Sequence, residues 1–179
     1  MVQKAASLRA DAQRNYDTLL RTAEKVFLKN GSTVALENIA KQAGVGIGTL
    51  YRHFPNRESL LEAVYAPKVS AIITKATRLL TTSPDKALQE WLRAIIRFSE
   101  QYNGFSSIIR QASINADSQI AQAGSQLLEN AQRVRAIRSD ITIGDILRLV
   151  NALTNDMTKE EIKRVDTLLE VIVSGLRYK

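Results

Sequence analysis

Apolar positions recur every three or four residues along most of the chain, which is the period of an amphipathic α-helix. The clearest stripe ends at Asn30-Gly31, a pair typical of a helix C-terminus, and consists of Tyr16, Leu19, Leu20, Ala23, Val26 and Phe27. We find no run with strand periodicity, and the chain has only 3 prolines and 8 glycines. The pattern therefore predicts an all-α fold, with a first helix over 11–29 and a mobile tail over 1–10.

Two short helices stand out in the stretch 33–57. The first spans 36–43 and ends at Gly44, and the second spans 48–54 and is closed by Pro55. A small shared core is predicted for Ile39, Ala40, Ala43, Val45, Leu50 and Phe54. The residues left on the outside are Ile47, Gly48, Thr49, Tyr51, Arg52 and His53. Two short helices around a glycine turn, with a polar and basic outer face on the second, are typical of a DNA-binding helix-turn-helix.

A longer helix is predicted over 57–80, with Asn56 as its N-terminal cap. Pro67 falls inside it, yet the apolar stripe keeps its phase across the proline. We therefore expect one kinked helix rather than two.

The C-terminal third is well punctuated. Thr142 with Asp145, and Thr158 with Glu161, have the spacing of a capping box. The two helices that follow carry wide apolar faces, which suit an antiparallel helix pair that needs a further partner surface. Candidate contact residues on these faces are Ile146, Val150, Val165, Leu169, Ile172 and Val173.

Charge narrows the choice of partners. The net charge is +7, and residues 1–57 hold 9 basic side chains against 4 acidic ones. This balance indicates an anionic partner, nucleic acid first, although a basic charge also serves solubility alone.

Several classes of protein are disfavoured by composition. The chain has no cysteine, and its single histidine, His53, has no companions for a metal site. We see no nucleophile–base pair, so we expect neither an enzyme nor a cofactor. Without an apolar run of membrane length or a secretory core, a soluble, cytoplasmic protein is expected, with no membrane partner.

The motif resembles the tetracycline-repressor (TetR) family of bacterial transcription regulators. The resemblance rests on AGVGIGTLYRHFPNRESLLEAVY, residues 43–65, and above all on the pattern Gly-Val-x-x-Gly-Thr-Leu-Tyr-x-His-Phe. It covers roughly the first 65 residues. It implies a three-helix DNA-binding domain over 1–56 and a ligand-binding and dimerisation domain over 57–179. About nine helices and a homodimer are implied for the whole.

The resemblance also implies roles for single residues. Gly48 and Thr49 would approach the DNA closely, while Tyr51, His53 and Arg57 would contact phosphates. Ile47 is apolar where a base-reading polar residue could stand, so specificity would depend on methyl contacts, Arg52 or backbone groups. The full candidate DNA-binding set is Thr33, Ile47, Gly48, Thr49, Tyr51, Arg52, His53 and Arg57.

The family places its inducer pocket in the middle helices, where this chain concentrates aromatic residues. Candidate pocket residues are Trp91, Phe98, Tyr102, Phe105 and Ile109, although an aromatic stripe at helical spacing is also typical of an ordinary core. The predicted function is that of a homodimeric regulator, a repressor released from double-stranded operator DNA by a small molecule. A helical protein-interaction module without ligand response is the alternative.

Overall fold

The computed structural model describes residues 2–101, 116–154 and 164–177, and these form two compact units. The described ranges contain eight α-helices and no strand, which confirms the predicted all-α class. None of these helices is long and apolar enough to cross a membrane. The helices are α1 Val2–Asn30, α2 Leu36–Ala43, α3 Ile47–His53, α4 Arg57–Leu79, α5 Pro84–Gln101, α6 Ala116–Arg133, α7 Ile143–Thr154 and α8 Val165–Leu176.

Helix α1 is longer than predicted. It begins at Val2 rather than near residue 11, so the predicted start of this helix is wrong. The reason lies in the composition of the first ten residues, which include neither proline nor glycine and are rich in good helix formers. The predicted end is confirmed: Gly31 takes φ 80° and its N–H donates to the Phe27 carbonyl at 2.9 Å.

The first unit, residues 2–67, buries the predicted stripe of α1 against α2, and α2 packs in turn against α3. Of the six residues predicted to share its small core, Ala43 and Val45 are only half-buried. The other four are buried: Ile39, Ala40, Leu50 and Phe54. Burial, followed by the charge of Glu24, raises the pKa of Tyr65 far above its usual value, so this phenol stays protonated.

Helix α4 begins with a reciprocal cap. The Ser59 N–H donates to Oδ1 of Asn56 at 2.8 Å, and the Asn56 N–H donates to Oγ of Ser59 at 3.3 Å. These bonds satisfy backbone groups that a helix start leaves without partners. Pro67 lies inside the helix, as predicted, and it is the last residue of the first compact unit. A functional boundary at residue 57 remains a prediction.

The second unit is built around α5, which packs against α6, α7 and α8. Trp91 is fully buried on α5, and its indole Nε1–H donates to the Ile72 carbonyl at 3.1 Å. Gly124 on α6 leaves room for this ring, because a Cβ there would lie 2.5 Å from Cζ3 of Trp91 and 2.8 Å from Cγ1 of Ile143. The ring of Trp91 thus lies where α5, α6 and α7 pack together.

The predicted capping box at Thr142 is present. The Thr142 N–H donates to Oδ2 of Asp145 at 3.0 Å, and the Asp145 N–H donates to Oγ1 of Thr142 at 3.3 Å. The hydrogen bonds from Thr142 hold the pKa of Asp145 below its usual value. The second predicted box, Thr158 with Glu161, lies outside the described residues.

The structure buries most of the predicted dimer contacts within their own chain. Helices α7 and α8 both pack against α5 of their own chain, so their apolar stripes form the core of the second unit. Only Ile172 of the six candidates is half-buried. The other five are buried within the single chain: Ile146, Val150, Val165, Leu169 and Val173.

Candidate nucleic-acid interface

Helix α3 is attached to the first unit by one side only. Leu50 is its single buried residue, and Gly46 precedes the helix in an extended conformation. The turn from α2 depends on Gly44, whose φ of 70° places it in the left-handed region that favours glycine. Backbone bonds from Gly44 to Lys41 and from Val45 to Ala40 close this turn at 3.2 and 3.1 Å. A short helix fixed in this way presents most of its surface outward.

The exposed face of α3 contains most of the residues predicted to contact DNA. The side chains of Ile47 and Tyr51 are 38% and 44% exposed, and Arg52 is also exposed. Gly48 is exposed, while Thr49 is half-buried. The face therefore combines the apolar side chain of Ile47, the phenol of Tyr51 and the guanidinium of Arg52. Such groups can contact base edges and phosphates.

His53 stands at the C-terminal end of α3 against an aromatic pair. Its ring meets the ring of Tyr16 edge-on, with centroids 5.7 Å apart, and Tyr16 stacks on Phe54 at 5.2 Å. Tyr16 belongs to α1, so this contact fixes the end of α3 to the longest helix of the unit. His53 is half-buried in this position. The sequence indicated Tyr16 only as a member of the apolar stripe.

Arg57 has a structural role that the sequence did not reveal. Its Nη1 donates to the carbonyls of Ser32 and Val34 at 2.7 and 2.6 Å, in a partly buried position. The guanidinium thus ties the start of α4 to the α1–α2 connection, where Thr33 lies exposed between the two accepting residues. Partners more than twenty residues apart leave no local signal in the sequence. A phosphate contact by Arg57 remains a prediction.

The candidate pocket residues of the second unit fall into three groups. Trp91 is fully buried with its only polar atom bonded to the backbone, and a role for it in a ligand site remains a prediction. Phe98 is half-buried and lines an open groove between α4 and α5. Tyr102, Phe105 and Ile109 lie outside the described residues.

Two family models match this chain. Residues 19–64 match the bacterial regulatory proteins of the tetR family, and residues 83–178 match the C-terminal domain described as transcriptional regulator SbtR-like. The first match contains the helix-turn-helix, and the second covers more than half of the chain. Both describe transcriptional regulators rather than enzymes.

Similar proteins agree with these matches. The chain is 33% identical over 91 residues to the HTH-type transcriptional regulator SAR0097 of Staphylococcus aureus, a match that spans 49% of this chain and 47% of that protein. The chain thus spans about half the length of that relative.

Two solved structures are similar over nearly their whole length. A TetR transcription regulatory protein from Mycobacterium vanbaalenii is 31% identical, with TM-score 0.61 over 95% of this chain and 99% of that one. The TetR transcriptional regulator SCO0520 from Streptomyces coelicolor is also 31% identical, with TM-score 0.68 over 91% and 98%. With its helix-turn-helix and all-α body, the chain belongs to the TetR family of transcriptional regulators.

Proposed function

We propose that the chain acts as a homodimeric repressor whose two α3 helices enter successive major grooves of a pseudo-palindromic operator. The observation that carries this proposal is the exposure of α3, which buries Leu50 alone and displays Ile47, Tyr51 and Arg52. A dimer would place its two recognition helices about one DNA turn apart, roughly 34–36 Å.

Two kinds of DNA contact are expected on α3: contacts with phosphates, which position the helix, and contacts with base edges, which recognise the sequence. Tyr51 and His53 would bond phosphates and set the register, and the exposed Arg52 would add charge. Ile47, at the first position of the helix, would meet base edges in the major groove, where thymine offers a methyl group. Phosphate neutralisation makes the affinity fall steeply as salt is raised.

Dimerisation would use the outer faces of α7 and α8 rather than the buried stripes. Leu149 on α7 and Val171 on α8 are 49% and 65% exposed, so both are accessible to a second copy. Ile172, beside Val171, is only half-buried. Burial of such side chains against a second copy would remove them from water.

The dimer proposal is tested by introducing a charge into the proposed interface. Val171→Glu should give monomers in sedimentation analysis, because a carboxylate would have to be buried between two copies. Val134→Glu is the matched control, since Val134 is 55% exposed and lies outside α7 and α8. Equal oligomeric states for the two variants would contradict this placement of the interface.

The DNA-binding proposal is tested by selecting bound sequences from random duplex DNA. The full chain should enrich a palindrome with half-sites one helical turn apart, and Tyr51→Ala should abolish the enrichment without unfolding the protein. Repression, as opposed to activation, would appear as lower expression from a promoter containing that palindrome. Retention of a different protein without any enriched DNA would support the interaction-module alternative.

A further inference from the structure

We propose that Arg57 is a positioning residue for DNA binding, which holds another contact residue in place and does not itself bond a phosphate. Through its bonds to the α1–α2 connection, residues 31–35, it keeps Thr33 where the hydroxyl meets a phosphate while α3 lies in the groove. The role in DNA binding rests on the proposed function, whereas the bonds of Arg57 stand on their own geometry.

A single guanidinium joins the two ends of the helix-turn-helix. Arg57 is the first residue of α4, which follows α3. Its Nη1 donates to the carbonyls of Ser32 and Val34 at 2.7 and 2.6 Å, and both of these residues precede α2. Both short helices therefore lie between the bonded residues in the sequence. By closing this loop, the guanidinium restricts how the segment before α2 can move relative to the segment after α3.

The side of the bond on α4 is firmly anchored. The reciprocal cap between Asn56 and Ser59 fixes the first turn of α4, and Phe54, just before it, is buried in the core of the unit. On the other side, Ala35 precedes α2 and makes no side-chain cap hydrogen bond. The start of α2 thus lacks the local cap that α4 has. We infer that α4 is the support and that the connection is the segment it holds.

The residue between the two bonded carbonyls faces solvent. Ser32 and Val34 are half-buried, whereas Thr33 is exposed. A threonine hydroxyl can donate to a phosphate oxygen, and such contacts set the register of a protein on a duplex. Because the backbone on both sides of Thr33 is bonded to Arg57, the guanidinium fixes where this hydroxyl is presented.

The surroundings of the guanidinium favour this role over a direct phosphate contact. Arg57 is half-buried, and the two hydrogens of Nη1 are directed to two backbone carbonyls. Lysine has the same charge, but its flexible side chain ends one bond nearer the backbone and lacks the planar group. A phosphate contact needs the charge, which lysine keeps, while the two carbonyls need the shape and reach of arginine. Lysine at this position therefore separates the two roles.

The test measures the affinity of full-chain variants for the operator selected from random duplex DNA. Arg57→Lys should weaken binding about tenfold although it keeps the charge. Thr33→Val should weaken the wild type by a similar factor, about tenfold, through loss of the hydroxyl. In Arg57→Lys it should have no further effect, because the hydroxyl is then no longer held at the phosphate. Arg78→Lys is the matched control, since Arg78 is exposed on the same helix, and it should bind as the wild type does.

Two further measurements separate this role from a general loss of structure and from a phosphate contact. Tyr51→Phe should cost the same factor in the wild type and in Arg57→Lys, because α3 is held separately through the buried Leu50. The salt dependence of the affinity should keep its slope in Arg57→Ala, since no phosphate loses its cation. All assays use conditions in which the amides of α2 stay protected from hydrogen exchange, so that the first unit is folded.

The outcomes distinguish this role from the proposed function. Wild-type affinity in Arg57→Lys, or an equal cost of Thr33→Val in both backgrounds, would overturn the positioning role and leave the operator untouched. Coupling of Arg57 with Tyr51 as strong as that with Thr33 would show a general loosening of the motif and would also overturn it. A salt slope that is smaller by about one in Arg57→Ala and normal in Arg57→Lys would show that Arg57 contacts a phosphate. The absence of any operator enriched by the wild type would overturn the proposed function and this role with it.

Discussion

Helices α3 and α8 use their residues in opposite ways. The seven residues of α3 bury one side chain, Leu50, whereas the twelve of α8 bury four. Both helices carry apolar residues on their outer surface, Ile47 on α3 and Val171 on α8. The two helices differ in how much of their surface is buried. Helix α3 contacts the first unit along one narrow side, whereas α8 contributes four side chains to the core of the second unit.

The contrast separates two kinds of consequence. Changes on α3 should alter what the protein binds and leave the folded state almost untouched, as surface substitutions usually do. Changes on the buried face of α8 should unfold the second unit before they affect any partner.

The largest effect is expected at Leu169, which is fully buried on α8. Leu169→Ala should lower the free energy of unfolding by about 2–5 kcal/mol, from lost burial and the cavity left behind. Urea unfolding followed by Trp91 fluorescence measures it, since the only tryptophan lies in the same unit. Ser174→Ala, exposed on the same helix, is the control. Loss of dimerisation at unchanged stability would contradict a core role for Leu169.

Arg57 is a test of whether residues predicted to bind DNA leave stability unaffected, because its guanidinium also bonds backbone carbonyls. Arg57→Lys keeps the charge but cannot reproduce both bonds to Ser32 and Val34, so the first unit should lose about 1–3 kcal/mol of stability. Trp91 lies in the other unit, so hydrogen exchange at the amides of α2 is the suitable measurement. Unchanged exchange with weakened DNA binding would instead favour a phosphate contact.

The DNA-binding end could be predicted from sequence because its signals are local. Gly44 and Pro55 mark the ends of two short helices. Leu50 and Phe54 are large apolar side chains between these signals, and both are buried in the core. Asn56 and Ser59 cap α4 within four residues of one another. Such short-range constraints are independent of the rest of the fold. The bonds of Arg57 were not predictable, because they depend on how distant segments meet.

The packing of the second unit could not be predicted from the sequence in the same way. An apolar stripe indicates that a face is buried but not which surface covers it. The stripes of α7 and α8 were therefore correctly recognised as apolar faces, but the sequence did not indicate that α5 of the same chain covers them. Trp91 was open to the same ambiguity between core and pocket. The close approach of α6 and α7 to its ring could not be read from the sequence.

A smaller effect, on binding alone, is expected at Ile47. If this side chain meets a thymine methyl, replacing that thymine by uracil in the selected operator should cost the wild type about 1 kcal/mol, or roughly fivefold in affinity. Ile47→Ala should bind both operators equally, and Ile47→Val should retain most of the preference. Competition gel shifts measure the four combinations. The same uracil penalty in wild type and Ile47→Ala would exclude the contact.

The smallest effect is expected at Glu100 on α5, where the charge of one side chain should change the stability of the second unit. Burial, together with Asp166 and against the opposing charge of Arg97, raises the pKa of this carboxyl above its usual value. A raised folded-state pKa gives stability that is complete below the unfolded value of about 4.3 and is lost as pH rises through the folded value. Glu100→Gln should therefore be slightly more stable than the wild type at pH 7, and the gap should close as pH falls below about 4. Chemical denaturation from pH 7 to 3.5 measures it, with the exposed Glu90→Gln as control for the loss of a charge. A gap that widens toward low pH would reverse the sign, and it would mean that ionised Glu100 stabilises the edge between α5 and α8 rather than strains it.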